Sequence, residues 1–407
     1  MKIFHRCFTA ILFLSVFIAI VSSCKKDEGP DYQYFVSSEF KATYKTDYID
    51  NLLNFASLTY PELNDLKPFV SHSVDIYKMI YQTEVDGETI NASGLICIPS
   101  GSGEYPVLCF QNGTNTVNDQ APSENAQNPG YQFVEVIAST GYVVIIPDYP
   151  GFGESADIVH PYLIKDPTVR SIVDMLYAAR EFDSGELPDL ELKNEFYIIG
   201  YSQGGWATLS LHEALEQDYS GDFNLKGSVC GAGPYNLNLL LEGMTGTTTY
   251  PMPVYIGYII NAYSAYDQFT NPVSDILKEP YSSRLGNLYN GILTSEQIND
   301  QLTTSIPDLF TDGFLSGFGS DIKYASVRKS LTDNSIAAWN TQVPLLFVHG
   351  AGDTSVNPIT TENIYSAMIE AGTSTAICKK EIIPDLDHGD ATIPAMIQGL
   401  LFIMNLQ

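Results

Sequence analysis

The apolar run Phe196 to Ile199 breaks into Gly200-Tyr201-Ser202-Gln203-Gly204 and resumes as the amphipathic stretch Trp206 to Leu215. Few features constrain a chain more. A strand that enters a helix through Gly-x-Ser-x-Gly must turn sharply, and the serine then projects from the turn. Side chains at Gly200 or Gly204 would crowd that strained backbone, and the first N–H groups of the following helix point at any negative charge developing nearby. A serine hydroxyl is a useful nucleophile only with a base beside it and space for a carbonyl. A Gly-rich turn closing a buried strand would match the same five residues, so the rest of the chain must supply the base and its partner.

Two later stretches do. Pro344 to Val348 reads as a buried strand running into His349-Gly350-Ala351-Gly352-Asp353-Thr354-Ser355-Val356. Thr375 to Ile383 reads as another, followed by Pro384-Asp385-Leu386-Asp387-His388-Gly389. Asp353 lies just past the carboxyl end of its strand, where open α/β sheets gather functional groups, and is the expected acid. His388 is the expected base, giving the chain order Ser, Asp, His. Asp385 and Asp387 remain competing acids, although Asp387 adjoins His388 and neighbouring side chains on an extended loop diverge. His72, His160 and His212 are expected as surface or packing residues, and His349 as a turn stabiliser.

A second backbone donor for an oxyanion is sought after the strand Pro106 to Phe110, in the loop Gln111-Asn112-Gly113-Thr114-Asn115. The expected pair is the Gln203 N–H and the Thr114 N–H, with Gly113 as the alternative. The strand Val143 to Ile146 ends in Pro147-Asp148-Tyr149-Pro150-Gly151-Phe152-Gly153-Glu154-Ser155, expected to shape a pocket wall.

Helical spacing runs through Phe40, Tyr44, Ile49, Leu52, Leu53 and Ala56, so a helix is expected over 38–56. Val74 to Thr83 and Thr89 to Ile98 form a hairpin across Asp86-Gly87. Strands at 107–111, 143–147, 196–200 and 226–231 then alternate with helices such as Val169 to Phe182, which implies a mainly parallel sheet. The alternation stops between Pro234 and Asn340, too long for a simple crossover, so 234–340 is expected as a cap. Its aromatics, among them Tyr255, Tyr258, Tyr263, Phe310, Phe314 and Phe318, are expected mostly as cap core with some facing the serine. Gly313 to Gly319 is a candidate flap.

From Val74 to the C-terminus these motifs resemble the α/β-hydrolase superfamily, and within it the secretory lipase A-like esterases. Gly113-Thr114, the Gly200 to Gly205 run, the insertion before the acid strand, Asp353 and His388 carry the resemblance. Asn112 departs from it, standing where relatives commonly have histidine. The resemblance implies an α/β fold with an N-terminal hairpin and a helical cap between strands 6 and 7, the core being 38–233 and 341–407. It implies a cofactor-free serine carboxylic-ester hydrolase with Ser202, Asp353 and His388 catalytic and Gln203 with Thr114 or Gly113 as oxyanion hole. A serine peptidase of prolyl oligopeptidase type and an inactive surface binding module stay open as alternatives.

At the N-terminus, Lys2 and Arg6 precede the apolar run Phe8 to Val21. That run is shorter than the ~20 residues a membrane-spanning helix needs and reads as a signal peptide over 1–23. Val21-Ser22-Ser23-Cys24 resembles a bacterial lipobox, which implies lipidation of Cys24, a tether over 24–37 and anchoring to the outer membrane of the cell envelope. Lys25-Lys26-Asp27-Glu28 resembles the surface-export tag of Bacteroidetes-type lipoproteins. Loss of residues 1–23 removes Lys2 and Arg6 from a formal charge of −28 and leaves −30. Such a surface repels phosphate backbones, so no nucleic-acid partner is expected. Cys97, Cys109, Cys230 and Cys378 sit in or beside apolar strands and are expected as buried free thiols. No C-x-x-C or H-E-x-x-H spacing occurs, and no metal is expected.

Overall fold

The computed structural model describes residues 32–187 and 190–406. The expected signal peptide, Cys24, the export tag and the start of the tether lie outside the described residues. A nine-stranded sheet runs in the order β1-β2-β3-β5-β4-β6-β7-β8-β9. Its strands are β1 (Phe35–Tyr44), β2 (Val74–Val85), β3 (Glu88–Pro99), β4 (Gly103–Gln111), β5 (Val143–Pro147), β6 (Leu190–Tyr201), β7 (Leu225–Gly231), β8 (Leu345–Gly350) and β9 (Cys378–Ile383). Strands β1, β2, β3 and β5 pair antiparallel, and β5 through β9 pair parallel. This is the α/β-hydrolase fold.

Alternation along the strands sorts side chains to two faces. Along β6, Phe196 and Ile198 join the core that contains Ile172 and Leu176 of α3 (Lys165–Glu186) and Leu209 of α4 (Gln203–Gln217). Tyr197, Ile199 and Tyr201 face the opposite core, with Leu53 of α1 (Thr46–Ala56), Val134 of α2 (Pro129–Glu135) and Ile397 of the C-terminal helix. Each such fully buried side chain contributes about 1.5–3 kcal/mol. The hairpin turn at Asp86-Gly87 has φ of 53° and 79°, the doubly left-handed geometry that Asp-Gly supplies.

The N-terminal region departs from the expected helix over 38–56. Phe35–Tyr44 is an edge strand on β2, and only Thr46–Ala56 is helical. The helical spacing of Phe40 and Tyr44 does not survive in the strand, where an irregularity between Phe40 and Ala42 leaves Phe40 exposed and Tyr44 buried. Pairing with β2 sets the strand, with the Phe40 ring edge-on to its cross-strand partner Tyr77 at 5.5 Å. The expected tether over 24–37 is also too long. Glu181 Oε1 and Oε2 accept the backbone N–H groups of Gln33, Tyr34 and Phe35 at 2.7–2.9 Å, tying this segment to α3.

With this extra strand, the long insertion falls between β7 and β8 rather than between strands 6 and 7. It holds α5 (Leu237–Thr245), α6 (Pro253–Ala265), α7 (Val273–Ile276), α8 (Tyr281–Leu288), α9 (Ser295–Asn299), α10 (Ile306–Leu309), α11 (Asp312–Gly317) and α12 (Ala325–Asp333). The candidate flap at 313–319 is mostly α11, and Phe314 and Phe318 are buried in a ring cluster with Phe310 and Tyr324. After β8 come α13 (Ile359–Glu370) and, past β9, α14 (Thr392–Met404). The four described cysteines are buried and unbridged. Among the described residues, no helix is long and apolar enough to cross a membrane.

Glu135, at the end of α2, has no exposed surface. Burial pushes its carboxyl up to about 8, opposed by the nearby Tyr44 hydroxyl. The folded chain therefore keeps this proton to higher pH than the unfolded chain, whose carboxyl ionises near ~4.3. Folding stability from this site falls as pH rises from that value through about 8. Glu135→Gln should therefore gain in Tm over wild type on going from pH 5 to pH 8. A Tm difference that stays constant across this range would refute the assignment.

Candidate active site

Ser202 sits between β6 and α4 with φ 61° and ψ −121°, a conformation L-residues rarely hold. Close backbone approach makes the flanking glycines obligatory. A Cβ on Gly200 would lie 2.4 Å from Gly204 O, and one on Gly204 would lie 1.9 Å from Gln111 O. The Ser202 N–H donates to Gly231 O at 2.8 Å, which fixes the turn against β7. Because β4 pairs with β6 through Gln111 and Gly200, the loop after β4 ends beside the serine. This is where the strand order reverses, the usual crevice of an open α/β sheet.

His388 Nε2 lies 2.9 Å from Ser202 Oγ, and His388 Nδ1 lies 2.5 Å from Asp353 Oδ2. The carboxylate can only accept, so Nδ1 carries the proton and Nε2 presents its lone pair to the serine hydroxyl. The His388 backbone oxygen accepts from Tyr201 Oη at 2.8 Å and from Thr392 Oγ1 at 3.2 Å. Asp353 Oδ1 accepts the N–H groups of Ser355 and Val356 at 2.9 and 2.8 Å. Burial alone would raise the Asp353 carboxyl. Hydrogen bonds from His349 and His388, the His388 charge and the Val356 N–H outweigh it and hold the group down at about 2. Asp385 and Asp387 make no bond to His388 Nδ1, which Asp353 occupies.

His349 does more than brace a turn. Its Nε2 faces two acceptors, Asp353 Oδ2 at 3.1 Å and Val356 O at 2.9 Å, so that nitrogen carries the proton, and Nδ1 accepts from Thr361 Oγ1 at 2.8 Å. Both His349 and Asp353 are buried. His160 is the other residue whose place sequence reasoning missed. Its Nδ1–H donates to Pro150 O at 2.7 Å, which leaves Nε2 to accept from the Gln203 side-chain amide at 2.8 Å. Burial pulls His160 down to about 4 against these two bonds, so it stays neutral near pH 7. A lone histidine in a loop carries no pattern that would have revealed either contact.

Gly113 lies against the elbow, a Cβ there falling 3.4 Å from Tyr201 O and 4.0 Å from Ser202 Cβ. Thr114 Oγ1 is 2.8 Å from Tyr162 Oη, and the Tyr162 ring stacks on Tyr258 of α6 at 4.3 Å. Tyr258 Oη donates to Asn115 O at 3.1 Å, and Tyr149 Oη donates to Asn112 O at 3.2 Å. Gln203 opens α4, next to the serine. The candidate oxyanion residues thus sit on the two segments flanking Ser202, buttressed by the cap and by the loop after β5. In that loop Asp148 accepts from Ser93 Oγ, Ser123 Oγ and Ser123 N at 2.5–2.8 Å.

Two cavities flank this centre. One of about 510 Å³ lies on the acid side between α5 and α13, lined by Leu240, Met244, Tyr250 and Asp353. The other, about 440 Å³, lies between α1, α2 and α14 and reaches Gly113. Among the described residues, no group of three or more His, Cys, Asp or Glu side chains has the arrangement to hold a metal ion.

Residues 127–398 match the secretory lipase family model, two-thirds of the chain, and the protein belongs to the secretory lipase family. It is an enzyme, a hydrolase of the lipase and esterase class. No curated protein matches it by sequence. Among solved structures it is similar to a candidate hydrolase of Legionella pneumophila, with 23% identity over 92% of this chain and 98% of that one and a TM-score of 0.82. A ligand-bound form of the rice cell wall degrading esterase LipA from Xanthomonas oryzae is 25% identical over 91% and 97% of the two chains, TM-score 0.78. Candida antarctica lipase A in its closed state is 16% identical over 91% and 81%, TM-score 0.66.

His349→Leu should remove a charge-assisted bond from Asp353, which holds His388 Nδ1, and so lower kcat about tenfold with KM within twofold. An unchanged kcat on a p-nitrophenyl ester would reduce His349 to a packing role.

Proposed function

We propose that the protein is a serine carboxylic-ester hydrolase working through an acyl-Ser202 intermediate. The observation that carries this reading is the continuous chain Ser202 Oγ, His388 Nε2, His388 Nδ1, Asp353 Oδ2, with steps of 2.9 and 2.5 Å at the two contacts between residues. Ser202 Oγ attacks the ester carbonyl while its proton passes to His388 Nε2. The imidazolium is stabilised by Asp353, which stays ionised because its carboxyl is held at about 2. Negative charge on the former carbonyl oxygen meets the Gln203 N–H and a second N–H from Thr114 or Gly113. Collapse breaks the ester C–O bond, and His388 gives its proton to the departing alkoxide. Water, deprotonated by His388, then releases the acid and restores the serine.

Ester hydrolysis is favoured by the secretory lipase match and by likeness to an esterase and a lipase. Ser202→Ala should leave folded protein whose esterase kcat is down roughly 10⁴-fold or more, and Asp353→Asn should also cripple turnover. A serine-directed fluorophosphonate must label the wild type and not the alanine variant. An unlabelled wild type would indicate an inactive binding module, and hydrolysis of aminoacyl anilides in preference to esters would indicate a peptidase.

We further propose that the enzyme is held at the cell envelope by a lipid on Cys24, exposed on the outer membrane. The supporting pattern is Lys2 and Arg6, the apolar run to Val21 and Val21-Ser22-Ser23-Cys24. One diacyl-type anchor holds the enzyme at the bilayer, and its strongly acidic body stays in water. Cys24→Ala should abolish palmitate incorporation and release the protein while leaving kcat/KM unchanged. Wild-type protein without incorporated palmitate would eliminate the anchor, and labelled protein resistant to protease on intact cells would eliminate surface exposure alone.

A further inference from the structure

The cavity between α1, α2 and α14 has an unusual lining for so acidic a protein. Its walls include Leu52, Phe55, Phe133, Ile393 and Met396, and among the described residues no Asp, Glu, Lys, Arg or His lines it, although the chain carries a formal charge of −28. Its volume, about 440 Å³, lies within the range of a pocket for a ligand-sized group. Phe55 and Ile393, on the rim, are 76% and 39% exposed, a standing cost in water unless something apolar covers them.

Two contacts tie this groove to the reaction centre. It is lined in part by Gly113, where a Cβ would fall 4.0 Å from Ser202 Cβ. One wall begins at Thr392, whose hydroxyl bonds the His388 backbone oxygen at 3.2 Å. The groove is therefore lined by the loop after β4 and by the start of α14, directly after the turn that carries the base. In the reaction proposed above, the alkoxide must leave within reach of His388 Nε2, because that nitrogen supplies its proton. The group attached to that oxygen is thus directed to the His388 side.

We propose that this groove is the subsite for the alcohol portion of the ester, and that it selects substrates whose leaving alcohol is long and apolar. This inference rests on the ester-hydrolase reading and deepens it. The groove holds the hydrocarbon of the alcohol while the oxyanion donors hold the carbonyl. Burial of that hydrocarbon contributes about 0.8 kcal/mol per methylene, so a short alcohol forfeits most of the available binding.

Two ester series test this on the full chain. With the acyl group fixed as acetyl and the alcohol lengthened from ethyl through butyl to octyl, kcat/KM should climb by about tenfold or more. With ethanol fixed and the acyl group lengthened, the climb should be smaller. Ala56→Trp on α1 and Ile393→Trp on α14 each add bulk to the groove lining from a different helix. Both should lower the octyl acetate to ethyl acetate ratio about tenfold, and both should move the ethyl octanoate to ethyl acetate ratio less than twofold. A loss confined to the acyl series, or a flat alcohol series in the wild type, would overturn the proposal.

A separate readout keeps this distinct from failure of the hydrolase reading. 1-Decanol should slow fluorophosphonate labelling of Ser202 in the wild type, and the concentration needed should rise about tenfold in Ala56→Trp. A protein that is labelled and protected yet cleaves no ester would sink the ester reading while leaving the apolar subsite standing. Labelling indifferent to decanol would sink the subsite.

Discussion

Everything at the centre of this molecule depends on how closely three backbones approach around Ser202. Gln111 O and Gly231 O press on Gly204 and Gly205 so tightly that a Cβ at either glycine would sit about 2 Å from a carbonyl oxygen. That contact sets the separation of β4, β6 and β7 from the first turn of α4. It also forces the serine into φ 61°, with its N–H tied to Gly231 O. The strain of such a residue, ~1–3 kcal/mol, persists only because sheet and helix fix the turn from both sides. Two buried cores, one on each face, hold those strands in place.

Around the turn, buried polar groups are paired in a way that fixes protonation as well as position. Asp353 is saturated by backbone N–H groups on one oxygen and by two histidines on the other, which keeps it ionised although it is buried. His160 is the converse case: the Pro150 carbonyl claims one nitrogen and the Gln203 amide the other, and burial leaves the ring neutral. One histidine therefore braces the acid, and another braces the residue that follows the serine. The cap adds a third brace, since Tyr258 stacks on Tyr162 and donates to Asn115 O in the loop beside the elbow.

The surface beside the site is divided in character. The cavity toward the cap reaches Asp353 and the loop after β8, whereas the groove under α1 and α14 is mostly apolar, is lined by no charged side chain among the described residues, and reaches Gly113. On the proposed reading, a negatively charged body with an uncharged groove beside Ser202 disfavours anionic substrates, because an acidic exterior repels anions before they arrive.

The sequence by itself determined the elements whose cause is local. Gly200 to Gly204 specifies its turn because only glycine tolerates the approach, Asp86-Gly87 specifies its hairpin, and runs such as Val143 to Ile146 are too apolar to lie anywhere but the sheet interior. The order Ser202, Asp353, His388 was legible for the same reason, each residue following a recognisable strand. What only the tertiary structure decided are the matters settled by distant partners. Phe35–Tyr44 became a strand because β2 offered an open edge, and an irregularity between Phe40 and Ala42 overrode the helical spacing of Phe40 and Tyr44. The bonds of His349 to Asp353 and of His160 to Gln203, and the meeting of α1 with α14 to form the groove, join residues whose neighbours in sequence say nothing of those contacts. Packing, which acts across the whole fold, chose them.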